Sequence, residues 1–280
     1  MQPISSRSEP ADLGRNQPLP PTVTSLTADL RALGVEPGMT MLVHSSLRAI
    51  APWVVGGAQA VILALEAALT PDGTLVMPCH SSELSDPADW ANPPVPSHWW
   101  ELIRREMPAY QPDLTPTRHM GAIPENFRKQ EGVVRSDHPQ TSFAAWGKAA
   151  HLVTADHRLN SSLGEHSPLA RIYDLDGWVL LLGVGHDSNT SLHLAEYRAN
   201  FPGKALCRQG APLLVDGVRQ WVTFEDLDFG NTDDFPTLGA AFAQETGLVR
   251  SGKVGNAQAH LMPQRPLVDF AVTWMEQNRI

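Results

Sequence analysis

Hydrophobic residues fall into short runs parted by polar turns, and the lengths of the runs predict alternating strands and helices. Leu26 to Leu33 predicts a helix ended by Gly34, and Pro37-Gly38 predicts a turn. Met39 to Val43 is an apolar run of strand length that leads straight into His44-Ser45-Ser46-Leu47. Gly56-Gly57 opens a helix from Ala58 to Leu69, Pro71-Asp72-Gly73 turns the chain, and Thr74 to Met77 predicts a second strand. A strand, loop, helix and strand in this order predict a parallel βαβ unit. Downstream, Pro124 to Gln130 predicts a short helix with proline at its start. Phe143 to Trp146 predicts a strand, Ala149 to Thr154 and Pro168 to Tyr173 predict helices, and Trp178 to Val184 a buried strand. Asp216-Gly217, between Ala211–Val215 and Val218–Phe224, is a hairpin signal. Leu238 to Glu245 predicts a helix, Leu248 to Val254 a strand, and Pro266 to Gln277 a terminal amphipathic helix. No boundary divides the chain. The pattern predicts a mobile tail over residues 1–22 and one domain over 23–280. Residues 80–118, rich in Pro and Trp, form an ordered excursion over the site face.

The richest chemistry follows the strand at Trp178. Gly183 and Gly185 free the backbone, Asp187, Ser188 and Asn189 are good helix N-caps, and His193 falls in the first helical turn with Glu196 on the same face. Loops between a strand and the next helix form the usual ligand edge of α/β proteins. The positive end of a helix disfavours a protonated imidazole, so a histidine there suits a general base. Either Asp187 or Glu196 is placed to orient it. A core histidine beside an ordinary cap explains the same residues equally well. His44-Ser45-Ser46-Leu47 also ends a strand and offers hydroxyls and backbone N–H groups to a carbonyl or phosphate. Its serines raise a hydrolase reading, but no GxSxG elbow surrounds them. Arg135-Ser136-Asp137-His138-Pro139 with Ser142 is a further polar cluster. Arg135 there can pair with an anion, or simply close a loop.

Composition narrows the classes. The 280 residues carry a formal net charge of −9, which argues against phosphate-backbone binding and suits a cationic ligand. The acidic group Glu225, Asp226, Asp228, Asp233 and Asp234 can receive such a ligand, or serve as a solvated loop. The two cysteines, Cys79 and Cys207, form no disulfide framework, no signal-peptide stretch opens the chain, and no apolar run reaches membrane-spanning length. A cytoplasmic protein without nucleic-acid or membrane partners is expected. The eleven histidines include no HExxH or HxH pair, so no metal is expected. The hairpin face around Leu213 and Trp221 is either core or the interface of a homodimer.

Taken in order, seven segments resemble the aminoglycoside 3-N-acetyltransferase family. They are His44-Ser45-Ser46-Leu47, Gly56-Gly57, Met120-Gly121-Ala122-Ile123-Pro124-Glu125, and Arg135-Ser136-Asp137-His138-Pro139 with Ser142-Phe143. Leu163-Gly164-Glu165-His166-Ser167-Pro168-Leu169, Gly185-His186-Asp187-Ser188-Asn189-Thr190-Ser191-Leu192-His193-Leu194-Ala195-Glu196 and Lys253-Val254-Gly255-Asn256-Ala257 complete the set. The resemblance runs from about residue 24 to the C-terminus. It implies an α/β fold of three α/β/α layers with a central mixed sheet, distinct from the common GNAT fold. It also implies acetyl-CoA as donor and an amine, an aminoglycoside or another small amine, as acceptor. On that resemblance His193 would take the amine's proton, oriented by Asp187 or Glu196, with His44 beside the reacting groups. His44, Ser45, Ser46, Leu47, Gly56, Gly57, Ser136, His138 and Ser142 would hold the coenzyme. Asp187, Glu196, Asp89 and Glu225 would meet the acceptor.

Overall fold

Met41, Leu42 and Val43 are wholly enclosed, as a strand covered on both faces must be. In this computed structural model, which describes residues 19–229 and 232–279, they lie at the centre of a seven-stranded sheet. Along the chain the elements are α1 (Val23–Leu33), β1 (Thr40–Ser45), α2 (Leu47–Ile50), α3 (Gly57–Leu69), β2 (Thr74–Pro78), α4 (Trp100–Glu106), α5 (Ala122–Phe127), β3 (Val134–Arg135) and β4 (Phe143–Gly147). There follow α6 (Ala150–Thr154), α7 (Pro168–Asp174), β5 (Trp178–Leu182), α8 (Ser191–Arg198), β6 (Leu206–Val215), β7 (Val218–Leu227), α9 (Phe235–Thr246), β8 (Arg250–Val254), β9 (Ala257–Pro263) and α10 (Gln264–Asn278).

The sheet order is β3-β4-β2-β1-β5-β9-β8. β1 pairs in parallel with β2 and β5, while the pairings toward both edges are antiparallel, so the sheet is mixed. Alternation along the strands sends Met41, Val43, Leu75, Met77, Leu180 and Leu182 to one face, where they meet residues of α1, α3 and α5. Leu42, Val76, Val179 and Leu181 point to the other face, against residues of α6 to α10. This is the expected three-layer arrangement. No helix among the described residues is long and apolar enough to cross a membrane.

The predicted helix from Leu26 lies within α1, which begins one turn earlier. Thr22 caps it in a capping box with Ser25, and Gly34 ends it at φ 107°. The tail expected over residues 1–22 falls outside the described residues for 1–18, and it fails beyond them. Pro21 O accepts from Val55 N at 3.0 Å, and Thr22 belongs to the cap. The excursion at 80–118 holds α4. It is braced internally by Arg104, which pairs with Asp86 at 2.6 Å, and by Trp90 Nε1, which donates to Ser85 Oγ at 3.0 Å, and Tyr110 N ties it to Pro212 O at 2.9 Å. β9 is an element the hydrophobic pattern did not predict. The hairpin β6–β7 is longer than predicted and forms a separate two-stranded sheet.

Candidate active site

The carboxyl ends of the three parallel strands carry the site, as expected for an open α/β sheet. His44 stands near the end of β1, His80 two residues beyond β2, and His193 in the first turn of the helix that follows β5. His44 is 5% exposed and its Nε2 lies 3.3 Å from Thr190 Oγ1. Burial, reinforced by repulsion from His193, holds its pKa down at about 3, so the ring is uncharged at neutral pH. His193 donates from Nδ1 to Glu196 Oε2 at 2.5 Å. Glu196 is enclosed, and its Oε1 accepts from Arg279 Nη1 at 2.6 Å. Arg279 in turn grips Asp234 through Nε at 2.7 Å and Nη2 at 2.9 Å. Phe229 and Phe235 box the His193 ring at centroid distances of 5.0 and 5.1 Å.

The choice between Asp187 and Glu196 as partner of His193 is resolved in favour of Glu196. Asp187 borders the cavity but is not bonded to the ring. With Nδ1 committed to a carboxylate, Nε2 is the nitrogen left to accept a proton. A charge placed on the ring would have the Glu196 carboxylate beside it to balance it.

His193 opens on a cavity of about 360 Å³ bordered also by His44, Ser45, His80, Asp187 and Thr190. A second cleft of about 570 Å³ adjoins it. Both are lined by His80, His119, Met120, Thr141 and Phe229, and the outer one extends to Asp89, Arg208 and Asp228. Ser45 Oγ is buried without a hydrogen-bond partner, and Ser46 Oγ accepts from Ala49 N at 3.3 Å as the N-cap of α2. Neither serine bonds to a histidine, so the nucleophile–base pair of a hydrolase is absent here. Leu47 begins α2, where the first N–H groups of a helix lack internal acceptors.

Several residues expected to touch ligands are buried and bonded to the framework. Ser136, His138 and Ser142 are at most 1% exposed and border neither cavity. Ser136 Oγ accepts from Phe143 N at 2.9 Å and meets His157 Nδ1 at 2.9 Å. His138 Nδ1 accepts from Gln140 N at 3.2 Å and Thr141 N at 3.1 Å, which shapes the loop whose Thr141 does border the cavity. Ser142 Oγ donates to Cys79 O at 2.8 Å. Arg135 spends its guanidinium on Ser142 Oγ, Ser81 Oγ and the carbonyls of Cys79, Pro112 and Thr115, leaving no free fork for an anion. Gly56 and Gly57 lie outside the cavity, and their positive φ angles of 85° and 59° are what the turn into α3 needs. Asp89 does line the outer cleft, whereas Glu225 borders neither cavity. It is exposed opposite Arg208 on the hairpin.

Strand alternation turns Asp226 inward, where it accepts from Ser162 N at 3.0 Å, Ser162 Oγ, Tyr197 Oη at 2.7 Å and Leu227 N at 2.9 Å. This clamp fastens the hairpin to the domain. Sequence reasoning missed His80 and Arg279 as site residues. His80 did carry a signal, since like His44 it follows a predicted parallel strand. Arg279 carried none.

Comparison with known proteins places this fold among characterised relatives. Residues 42–276 match the family described as Aminoglycoside 3-N-acetyltransferase. The chain is 48% identical over 260 residues to the SPbeta prophage-derived aminoglycoside N(3')-acetyltransferase-like protein YokD of Bacillus subtilis, covering 92% of this chain and 94% of that one. It is 40% identical to aminoglycoside N(3)-acetyltransferase VII of Streptomyces paromomycinus, covering 92% of this chain and 93% of the relative. The crystal structure of YokD superposes with a TM-score of 0.90 at 46% identity, over 95% of this chain and 97% of that chain. AAC-IIIb, solved as a binary complex with CoASH, superposes with a TM-score of 0.83 at 33% identity, over 92% of this chain and 97% of that chain. In sequence over most of its length and in overall fold, this chain belongs to the aminoglycoside 3-N-acetyltransferase family.

Proposed function

We propose that the chain transfers an acetyl group from acetyl-CoA directly to the 3-amino group of an aminoglycoside, with His193 as general base. The observation that carries this reading is the 2.5 Å bond from His193 Nδ1 to an enclosed Glu196, at the carboxyl edge of the parallel strands. A protonated amine cannot attack a thioester, so the site must hold a proton acceptor whose new charge is compensated. His193 accepts that proton at Nε2 and Glu196 balances it. Acetyl-CoA supplies the activated acyl group. Ser45, whose buried hydroxyl is unpaired and which borders the cavity, would donate to the thioester carbonyl. Donor and acceptor held together in one cavity need no covalent enzyme intermediate.

The family membership supports this choice of donor, as does the CoASH-bound relative. A relative solved as AAC-VIa bound to sisomicin supports the acceptor class. In the outer cleft Asp89 and Asp228 can meet cationic amines, though Arg118 and Arg208 share the wall and temper its charge. Two unpaired cysteines support a reducing, cytoplasmic setting.

The decisive assay follows thiol release from acetyl-CoA against a panel of aminoglycosides and unrelated amines. Turnover with an aminoglycoside on the order of 1 per second or faster is expected. Turnover with other amines alone would replace the acceptor and keep the chemistry. No turnover with any amine would overturn the reading.

A further inference from the structure

Four buried side-chain atoms have no hydrogen-bond partner among the described residues: Ser45 Oγ, His80 Nε2, Trp100 Nε1 and Gln264 Oε1. Of these four residues, only Ser45 and His80 border the catalytic cavity, and only His80 also borders the outer cleft. An enclosed polar atom without a partner is unfavourable, so its persistence at a cavity wall marks a place where a ligand completes the bonding. Ser45 belongs to the end of β1 and borders the inner cavity but not the outer cleft. His80 stands where the two volumes join. It shares that junction with His119, Met120, Thr141 and Phe229, which also line both volumes.

The ring is also held in place. It packs edge-on against Phe143, with centroids 5.3 Å apart, and its own carbonyl accepts from Arg118 N at 2.8 Å. Burial, with repulsion from His44, His193, His138 and Arg135, holds its pKa down at about 3. An uncharged imidazole does not repel a cationic acceptor, and it offers one donor and one acceptor nitrogen.

We propose that His80 is a contact residue for the acceptor, bonding through Nε2 to a hydroxyl or amino group beside the amine that reacts. The inference rests on the acetyltransferase reading above. It assigns the recognition of a neighbouring polar group to His80 and the proton transfer to His193. Such a contact discriminates, because an acceptor lacking that group leaves the nitrogen unpaired again.

The test uses the full chain with His80→Leu and His80→Gln. Acetyl transfer is measured for an aminoglycoside and for analogues lacking, one at a time, the polar groups next to the reacting amine. The expected result is an acceptor KM raised about tenfold or more by leucine, with the KM for acetyl-CoA unchanged. The wild-type preference for the acceptor over one particular analogue should collapse in the leucine variant and partly return with glutamine. Unchanged acceptor kinetics and unchanged discrimination would overturn the assignment, and so would equal effects on donor and acceptor. If the leucine variant does not fold, the wild type and glutamine variant decide it. Preferences that match for every analogue sink the proposal, and a selective loss in the glutamine variant supports it. A wild-type chain inactive on every amine would instead overturn the acetyltransferase reading and this inference with it.

Discussion

Arg279 donates from Nη1 to Glu196 Oε1 at 2.6 Å, on the same carboxylate whose other oxygen holds His193. The end of the chain is thereby tied to the candidate base through a single intervening residue. The carboxylate is enclosed and the arginine side chain is 15% exposed, so this ion pair is shielded from water. Arg279 also anchors to Asp234, the residue just before α9.

Replacing Arg279 with alanine should therefore lower kcat by about tenfold or more and leave the KM for acetyl-CoA unchanged. Removing one partner of a buried pair destabilises by about 3–5 kcal/mol, and the residual exposure here argues for the lower end. Lysine at 279 should restore part of the stability and less of the rate, because it lacks the fork that spans two carboxylates. Steady-state kinetics beside thermal unfolding checks this. Wild-type kcat in the alanine variant would show that Glu196 needs no outside support.

Removal of the base itself should be more severe. His193→Ala should cut kcat by about 10²–10⁴-fold while calorimetry still shows binding of CoA. Glu196→Gln keeps the size and one hydrogen bond but loses the charge that balances the imidazolium, so a smaller loss of about 10–100-fold is expected. A glutamine variant as slow as the alanine variant would mean that the carboxylate does more than orient and compensate.

How much of this was legible follows from what each residue touches. β1, β2 and β5 were readable because strands covered on both faces become continuous apolar runs. β9 was not. Its residues Ala257, Ala259 and Leu261 are buried in alternation with Gln258 and His260, and alanine and glutamine favour no strand. The start of β6 was hidden likewise, since Cys207-Arg208-Gln209-Gly210 stands off the main sheet with one face wet. In the site, His193 and Glu196 were readable because three-residue spacing on one helix is local. Ser136, His138 and Ser142 looked equally functional, because a buried polar network uses the same residue types as a ligand site. Arg279 reaches Glu196 across 83 residues, a relationship no local pattern encodes.

Buried histidines set the acid limit of the fold. His44, His138 and His157 are all under 9% exposed, and burial is the leading cause that lowers each pKa, to about 3, to about 4 and well below 6.5 respectively. Below pH 6.5 the unfolded chain takes up protons that the folded chain refuses. Stability is therefore full above that pH and falls as the pH drops toward 4. Each group contributes about 1.4 kcal/mol per pH unit in that window, so the three together act at about 4 kcal/mol per unit. Against an ordinary stability of about 5–15 kcal/mol, acid unfolding should be centred above about pH 4. Circular dichroism against pH tests this, and His44→Asn should shift the midpoint to lower pH by removing one proton sink. A native spectrum retained at pH 3 would show that these rings protonate inside the fold.

Gly164 offers a test of the hairpin clamp that touches no proposed catalytic group. A Cβ at this position would lie 2.4 Å from Tyr197 Cδ1 and 2.7 Å from Cε1. The Tyr197 ring cannot simply swing away, because its hydroxyl donates to Asp226 Oδ1 at 2.7 Å, and Asp226 also ties Ser162 to the hairpin. Gly164→Ala must then displace the ring or the backbone of Leu163, which borders the catalytic cavity. Overpacking of this kind costs about 1–3 kcal/mol. Tyr197→Phe removes the hydroxyl without crowding and should cost about 1–2 kcal/mol. The two changes share one contact, so their combined cost should fall short of additivity, since a ring freed from Asp226 yields to the new methyl more easily. Denaturant unfolding of both single variants and the double variant measures the coupling. Strict additivity would show that the aromatic ring is held by its packing alone and that the Asp226 bond does not fix its position.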